Sequence, residues 1–268
     1  MRRQWWSCHR FVAEGSAMSS WQALDEEAAC WRDGGRTAAL WWRDDDAADA
    51  GPAFDRLLNL HRDTRAPLSL AVVPALATRA LADRLGAEPD VDLLQHGYAH
   101  LNHASPGEKK AELGAHRPAM IVLGELGTGW LALERLFGGR TQSVMVPPWN
   151  RIAPGLVPTL PEIGFRGLST FGLRRRARPV SGLLQINTHA DLIDWKSGGG
   201  FAGEATVLGA LVAALAHART VADEPVGLLS HHLAMDGRAW DFLRSVLEKA
   251  STLPGIRIRP ARELFVAE

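Results

Sequence analysis

A chain of 268 residues is longer than most single domains, but α/β barrels of about 250 residues fold as one unit. Its 30 basic and 30 acidic residues cancel, so charge gives no reason to expect nucleic acid or an anionic membrane as a partner. Residues 1–17 lack the apolar block of a secretory signal, and we expect no later segment to span a membrane. These features predict a cytoplasmic protein with a disordered tail or upstream extension at 1–17 and one domain at 18–268.

Apolar runs of strand length alternate with segments of helical periodicity along the chain. The predicted strands are 37–43, 67–73, 91–95, 143–146, 165–170, 183–193, 226–230 and 256–259. The predicted helices are 19–32, 52–65, 75–85, 118–137, 203–220 and 241–250, with a partly helical stretch at 153–163. Buried strands that alternate with helices indicate parallel βαβ units, and seven or eight such units in one domain favour a barrel over an open sheet.

Four polar clusters directly follow predicted strands, at residues 44–46, 96–100, 191–195 and 231–232. Reactive side chains of α/β barrels collect at the carboxyl ends of the strands, so we expect these clusters on one rim. A carboxylate and two imidazoles there form a natural ligand set for a divalent metal, most simply zinc. Taken singly the signals are ambiguous, because three aspartates also suit a solvated turn or helix cap and two histidines four apart also suit a surface pair.

Five short segments carry most of these side chains: Arg43-Asp44-Asp45-Asp46, His96-Gly97-Tyr98-Ala99-His100, Val146-Pro147-Pro148-Trp149, Asp194-Trp195 and Leu228-Leu229-Ser230-His231. In order and spacing they resemble the five motifs of the polysaccharide deacetylases, over residues 37–235. The resemblance implies a distorted (β/α)7 barrel with parallel strands. It also implies an enzyme that removes N- or O-acetyl groups from sugars.

The resemblance implies a role for each matching residue. The general base corresponds to Asp45 and the general acid to His231. His232 is a less favoured acid, because neighbours on a strand point to opposite faces. The metal ligands correspond to Asp46, His96 and His100.

Further positions match less specifically. Asp194 corresponds to an aspartate that orients a catalytic partner, and Asp191 is the alternative for that role. The candidates for the substrate pocket are Tyr98, Pro148, Trp149 and Trp195. The two tryptophans could equally fill the barrel core, and the tyrosine hydroxyl could simply satisfy a neighbouring carbonyl.

The chain departs from the family pattern at one position. An arginine usually opens the third motif and steadies the catalytic aspartate, whereas this chain has Val146. Arg43 lies two residues before Asp45, so on a strand both side chains face the same way. Our hypothesis is that Arg43 supplies the missing positive charge.

These expectations predict a metal-dependent hydrolase that removes an acyl group, such as acetyl, from an N-acylated amino sugar or a similar small amide. Its substrate would be a small molecule or an oligosaccharide. Two alternatives stay open at this point. The site could hydrolyse a non-sugar C–N bond, such as that of a cyclic imide or ureide, or the barrel could bind metal and carbohydrate without catalysis.

Overall fold

The computed structural model describes residues 20–266, so the predicted tail at 1–17 lies outside the described residues. The α-helices are α1 (Ser20–Asp33), α2 (Pro52–Thr64), α3 (Arg79–Leu85), α4 (Ala119–Phe137), α5 (Glu204–His217), α6 (Gly237–Thr252) and α7 (Ala261–Leu264). The strands are β1 (Ala38–Ala47), β2 (Leu68–Val72), β3 (Asp92–His96), β4 (Thr141–Val146), β5 (Gly167–Leu168), β6 (Leu184–Gln185), β7 (Ala190–Asp191), β8 (Val226–Ser230) and β9 (Ile256–Ile258).

The strands form one parallel sheet in the order β6-β5-β4-β3-β2-β1-β8-β7, with β9 beside the start of β1. Both ends of this order belong to one continuous segment, which runs from β6 into β7. The N–H groups of Ile186 and Thr188 donate towards β5, while those of His189 and Leu192 donate to β8. The segment therefore closes the sheet, and the predicted distorted (β/α)7 barrel is confirmed. Our prediction of one uninterrupted strand at 183–193 is wrong, because the segment changes its pairing partner midway.

β1 is the central strand, paired with β2 on one side and β8 on the other. Trp41 and Trp42 are fully buried on its two faces, and each indole N–H donates a hydrogen bond across the fold. We predicted that this strand ends at Arg43, but it continues through the aspartates to Ala47. The extension is possible because the carboxylates of Asp44 and Asp45 each meet a partner inside the protein, as described below.

Helix boundaries differ from the predictions where capping decides them. α3 begins four residues later than predicted, because the Thr78 hydroxyl accepts from the Leu81 N–H and fixes the N-cap. α6 begins four residues earlier, because Asp236 accepts from the Ala239 N–H. The stretch at 153–163 forms 3₁₀-helices at Pro154–Thr159 and Pro161–Ile163, since its prolines interrupt an α-helix.

α5 and the π-helix that continues it, Ala218–Ala222, include the stretch Glu204–Val221. By length and composition alone this stretch could cross a membrane, which we did not expect from the sequence. In the fold α5 packs against α1, β7 and β8. Its side chains Val207, Leu208, Leu211 and Leu215 lie in the main hydrophobic core. This is the environment of an ordinary barrel helix.

Candidate active site

Three predicted ligands converge at the carboxyl end of the barrel. Asp46 Oδ1 lies 3.1 Å from His96 Nε2 and 3.2 Å from His100 Nε2. The ligand atoms of all three residues lie within 4.8 Å of one another. His96 is buried and the other two are half-buried, so the group faces an opening rather than the core.

The local backbone explains this convergence. The pairing of β1 with β2 shifts register between Asp44 and Ala47, and this β-bulge gives Asp46 a φ of 71°. His96 is the last residue of β3, and its Nδ1 donates to the Val146 carbonyl at a distance of 3.0 Å. Since the carbonyl can only accept, Nδ1 carries a proton, and Nε2, which lies against Asp46, is the nitrogen that a metal would bind. Two imidazole nitrogens and one carboxylate oxygen held in this way fit a divalent metal such as zinc.

The charge of Asp46 is coupled to those of the two histidines. Burial by itself raises the pKa of Asp46, but hydrogen bonds from His100 and His96 outweigh it and hold this pKa far below its usual range. Burial lowers the pKa of His96, yet the Asp45 charge and the hydrogen bond to Asp46 raise it overall. The negative charge collected here would be neutralised by a divalent cation.

Arg43 and Asp45 form a fully buried, two-pronged ion pair. Arg43 Nε donates to Asp45 Oδ1 at 2.8 Å, and Nη2 donates to Oδ2 at 2.9 Å. The remaining donors of the guanidinium reach Ser169 Oγ and Asn150 Oδ1, each at 2.6 Å. Val146, by contrast, packs its side chain in the core. The structure thus places Arg43 where the hypothesis requires it, although its effect on catalysis stays a prediction.

Asp44 faces the other way and belongs to a separate buried network. Its Oδ1 lies 2.5 Å from His232 Nδ1, and its Oδ2 accepts from Ser230 Oγ at 2.5 Å. His232 also packs against Phe54 of α2, with 5.8 Å between ring centroids. This arrangement holds His232 against the surrounding helix layer and favours His231 as the candidate acid.

His231 lies beside Asp191 and Trp195. Its Nδ1 is 3.8 Å from Asp191 Oδ1, an ion-pair distance, and its ring meets Trp195 edge-on at 4.9 Å. Asp191 also accepts a hydrogen bond from the Trp195 indole at 3.0 Å. Asp194 instead caps the 3₁₀-helix Trp195–Ser197. The structure therefore places Asp191 rather than Asp194 beside His231, because the chain turns after β7 and directs the Asp194 carboxylate back to its own backbone. The orienting role itself stays a prediction.

Charge links this side of the site to the metal cluster. Burial raises the pKa of Asp191, and the Asp45 charge adds to this although His231 opposes it. The charge of His231 also helps to lower the pKa of Asp46. The candidate base, acid and ligands therefore lie within electrostatic reach of one another.

Two tryptophans border the site rather than fill the core. Trp149 is half-buried and lies on His100, with ring centroids 4.3 Å apart. Trp195 is 53% exposed, although its contacts with His231 and Asp191 fix its position. The alternative that both rings fill the barrel core is wrong. Their contact with substrate stays a prediction, as does that of Pro148, which is buried against Gly97.

No sequence pattern pointed to Glu112, which lies between the predicted strand at 91–95 and the predicted helix at 118–137. Its buried carboxylate accepts from three backbone N–H groups of the segment that carries the two histidine ligands. The donors are Tyr98 at 3.0 Å, Ala99 at 2.8 Å and Leu101 at 3.3 Å. The structure thus fixes the backbone of Tyr98, whose side-chain role stays a prediction. Ser169 and Asn150, which bind Arg43, were also missed.

No protein-family model matches the chain, and no curated protein matches it in sequence. Solved structures match its fold. A polysaccharide deacetylase-like protein from Mycobacterium smegmatis is 17% identical with a TM-score of 0.64, over 86% of this chain and 90% of that chain. A family 4 carbohydrate esterase from Streptomyces lividans is 13% identical with a TM-score of 0.54, over 82% and 91%. An esterase from Streptococcus mutans is 13% identical with a TM-score of 0.54, over 87% and 90%. The chain therefore has the fold of the polysaccharide deacetylases, as its motifs indicated.

Proposed function

We propose that this protein is a metal-dependent hydrolase that removes an acyl group, such as acetyl, from an N-acylated amino sugar or a similar small amide in the cytoplasm. One observation carries the proposal. Asp45, held by Arg43, directly precedes Asp46 on β1, and Asp46 meets His96 and His100 in a three-ligand cluster. A carboxylate base beside a metal site is an arrangement suited to metal-assisted hydrolysis of an amide.

Asp46, His96 and His100 would hold the metal, with zinc favoured by the two nitrogen donors and one oxygen donor. When bound, a divalent metal polarises the scissile carbonyl and makes a water easier to deprotonate. Asp45 would accept the proton of the attacking water. Arg43 keeps this carboxylate aimed by binding both of its oxygens.

The leaving nitrogen needs a proton, and His231 is the candidate donor. Asp191, whose Oδ1 lies 3.8 Å from His231 Nδ1, would orient the imidazole. A backbone N–H near Trp149 would stabilise the developing oxyanion. The candidate base thus lies on β1, and the candidate acid directly follows the neighbouring strand β8.

The structural relatives support a carbohydrate as substrate, because they include a polysaccharide deacetylase-like protein and a carbohydrate esterase. Trp149 contacts the imidazole of His100, and Trp195 contacts that of His231. At these positions their flat rings could stack on a sugar. A binding module without catalysis would need neither the buried Arg43–Asp45 pair nor His231, so this structure favours the enzyme.

Acetate release from N-acetylglucosamine oligomers by the zinc-loaded protein tests the proposal. We expect turnover by the wild type and its loss in Asp45→Asn, a variant that keeps all three metal ligands. A parallel panel of cyclic imides and ureides tests the alternative substrate class. Turnover of that panel without acetate release would replace our substrate assignment. Zinc binding without turnover of any amide would support a non-catalytic barrel.

A further inference from the structure

The carboxylate of Glu112 holds the turn that joins the two histidine ligands. It is 1% exposed, and both of its oxygens accept hydrogen bonds from backbone N–H groups. These bonds come from Tyr98, Ala99 and Leu101, which flank His100 on both sides. A carboxylate that receives several N–H groups forms charge-assisted bonds, so it fixes this turn more strongly than a neutral acceptor would.

The turn needs such support because its backbone is unusual. His100 has a φ of 56° and Gly97 a φ of 57°. Among residues 20–266, six non-glycine residues have a positive φ, and Asp46, His100, Trp149 and Asn150 are four of them. Backbone in this region is disfavoured for ordinary residues and persists where neighbouring contacts impose it.

Gly97 and Glu112 fit each other closely. A Cβ at Gly97 would lie 2.1 Å from Glu112 Oε2 and 2.5 Å from Pro148 Cδ. The absence of a side chain at Gly97 therefore lets the carboxylate approach the turn. Glu112 is itself anchored, because the next residue, Leu113, bridges to Ile152 just after the Trp149 loop.

We propose that Glu112 is a positioning residue that presets the separation of His96 and His100 and thereby determines metal affinity. This inference rests on the metal site proposed above. Glu112 acts through the backbone and does not contact the ligand atoms. Replacement of Glu112 should leave all three ligand side chains present but allow His100 to move away from the position that a metal requires.

The test is the zinc affinity of Glu112→Gln, measured by competition with a chromogenic chelator. The amide has one acceptor oxygen and presents its own N–H groups to the backbone donors, so we expect the dissociation constant to rise about 10- to 100-fold. Glu108→Gln is the matched control, because Glu108 lies in the same loop but is exposed and binds His116. We expect wild-type affinity in the control.

Thermal unfolding with and without zinc separates positioning from general support of the fold. If Glu112 only supports the fold, Glu112→Gln would lower Tm equally with and without zinc and leave the dissociation constant for zinc unchanged. That result would overturn the inference. If Glu112 positions the ligands, its replacement also reduces the difference between the Tm with zinc and the Tm without zinc, because weaker zinc binding stabilises the folded protein less. Failure of the wild type to bind zinc would instead contradict the proposed metal site.

Amide hydrogen exchange provides a readout that needs no variant. In the zinc-free wild type the N–H groups of Tyr98, Ala99 and Leu101 should already be protected by Glu112. Rapid exchange of these amides until zinc is added would show that the metal, rather than Glu112, orders the turn. That result would overturn the inference even if Glu112→Gln could not be purified in folded form.

Discussion

Replacing Arg43 with methionine should destabilise the protein strongly, and a second substitution at Asp45 should restore part of the lost stability. Arg43 is fully buried and Asp45 is 1% exposed. The guanidinium binds both carboxylate oxygens at 2.8 and 2.9 Å and also reaches Ser169 and Asn150. Methionine fills a similar volume but leaves the carboxylate without its counter-charge.

The size of the effect follows from the burial of the pair. Removing one partner of a buried ion pair costs about 3–5 kcal/mol, mostly because the other charge is left unpaired. Converting Asp45 to asparagine in the Arg43→Met background removes that stranded charge. We therefore expect the double variant to recover about 1.5 kcal/mol or more relative to Arg43→Met. Arg43→Lys should be intermediate, because an ammonium keeps the charge but cannot form the two parallel bonds.

Urea unfolding at pH 7 measures these differences, with equal slopes confirming that the denatured states are comparable. All of these variants keep the metal ligands and should bind zinc. A stability of Arg43→Met within about 1 kcal/mol of the wild type would refute the reasoning. So would a double variant less stable than Arg43→Met, since the charge of Asp45 could not then be the source of the loss.

Three further predictions concern neighbouring positions. His231→Gln should lower kcat by about 100-fold or more while zinc binding is retained, as measured by acetate release and zinc titration. Burial lowers the pKa of His232, but the charge of Asp44 and the hydrogen bond to it raise this pKa overall above its usual value. The Asp44–His232 pair should therefore contribute its full stabilisation below about pH 6.5 and lose it as the pH rises through the folded-state pKa of His232. The difference in urea midpoint between the wild type and His232→Gln should become smaller as the pH rises. Gly97→Ala should cost about 2–4 kcal/mol from its clash and positive φ, whereas Gly107→Ala, with open space around it, should cost only about 1 kcal/mol for the backbone.

Much of the fold could be predicted because its signals are local. Apolar strands alternate with amphipathic helices, and this order alone indicates parallel βαβ units. The way in which the barrel closes could not be predicted from the sequence. The sequence predicts one strand at 183–193, and only the tertiary structure shows that this segment pairs with β5 first and with β8 afterwards.

The site residues likewise include some that local sequence patterns identify and some that depend on the tertiary structure. Asp46, His96 and His100 could be identified because each lies just after a predicted strand and their spacing matches known motifs. The choice between Asp191 and Asp194 depends on how the chain turns after β7, which no local pattern fixes.

Glu112 illustrates a role that sequence reasoning does not reach. Its stretch is polar and reads as an exposed loop, yet its side chain is buried. The hydrogen bonds that it accepts come from residues 11–14 positions away, on the far side of the same loop. A satisfied buried carboxylate of this kind becomes visible only when the backbone donors are located in space.

The most direct test of the account is zinc titration of chelator-treated protein, comparing the wild type with Asp46→Asn. Asparagine preserves the shape of Asp46 but removes the charge that meets His96 and His100. We predict one zinc ion per wild-type chain and a dissociation constant at least about 100-fold higher in the variant. Equal zinc binding by the two proteins, or none by the wild type, would contradict the claim that these three residues form a metal site.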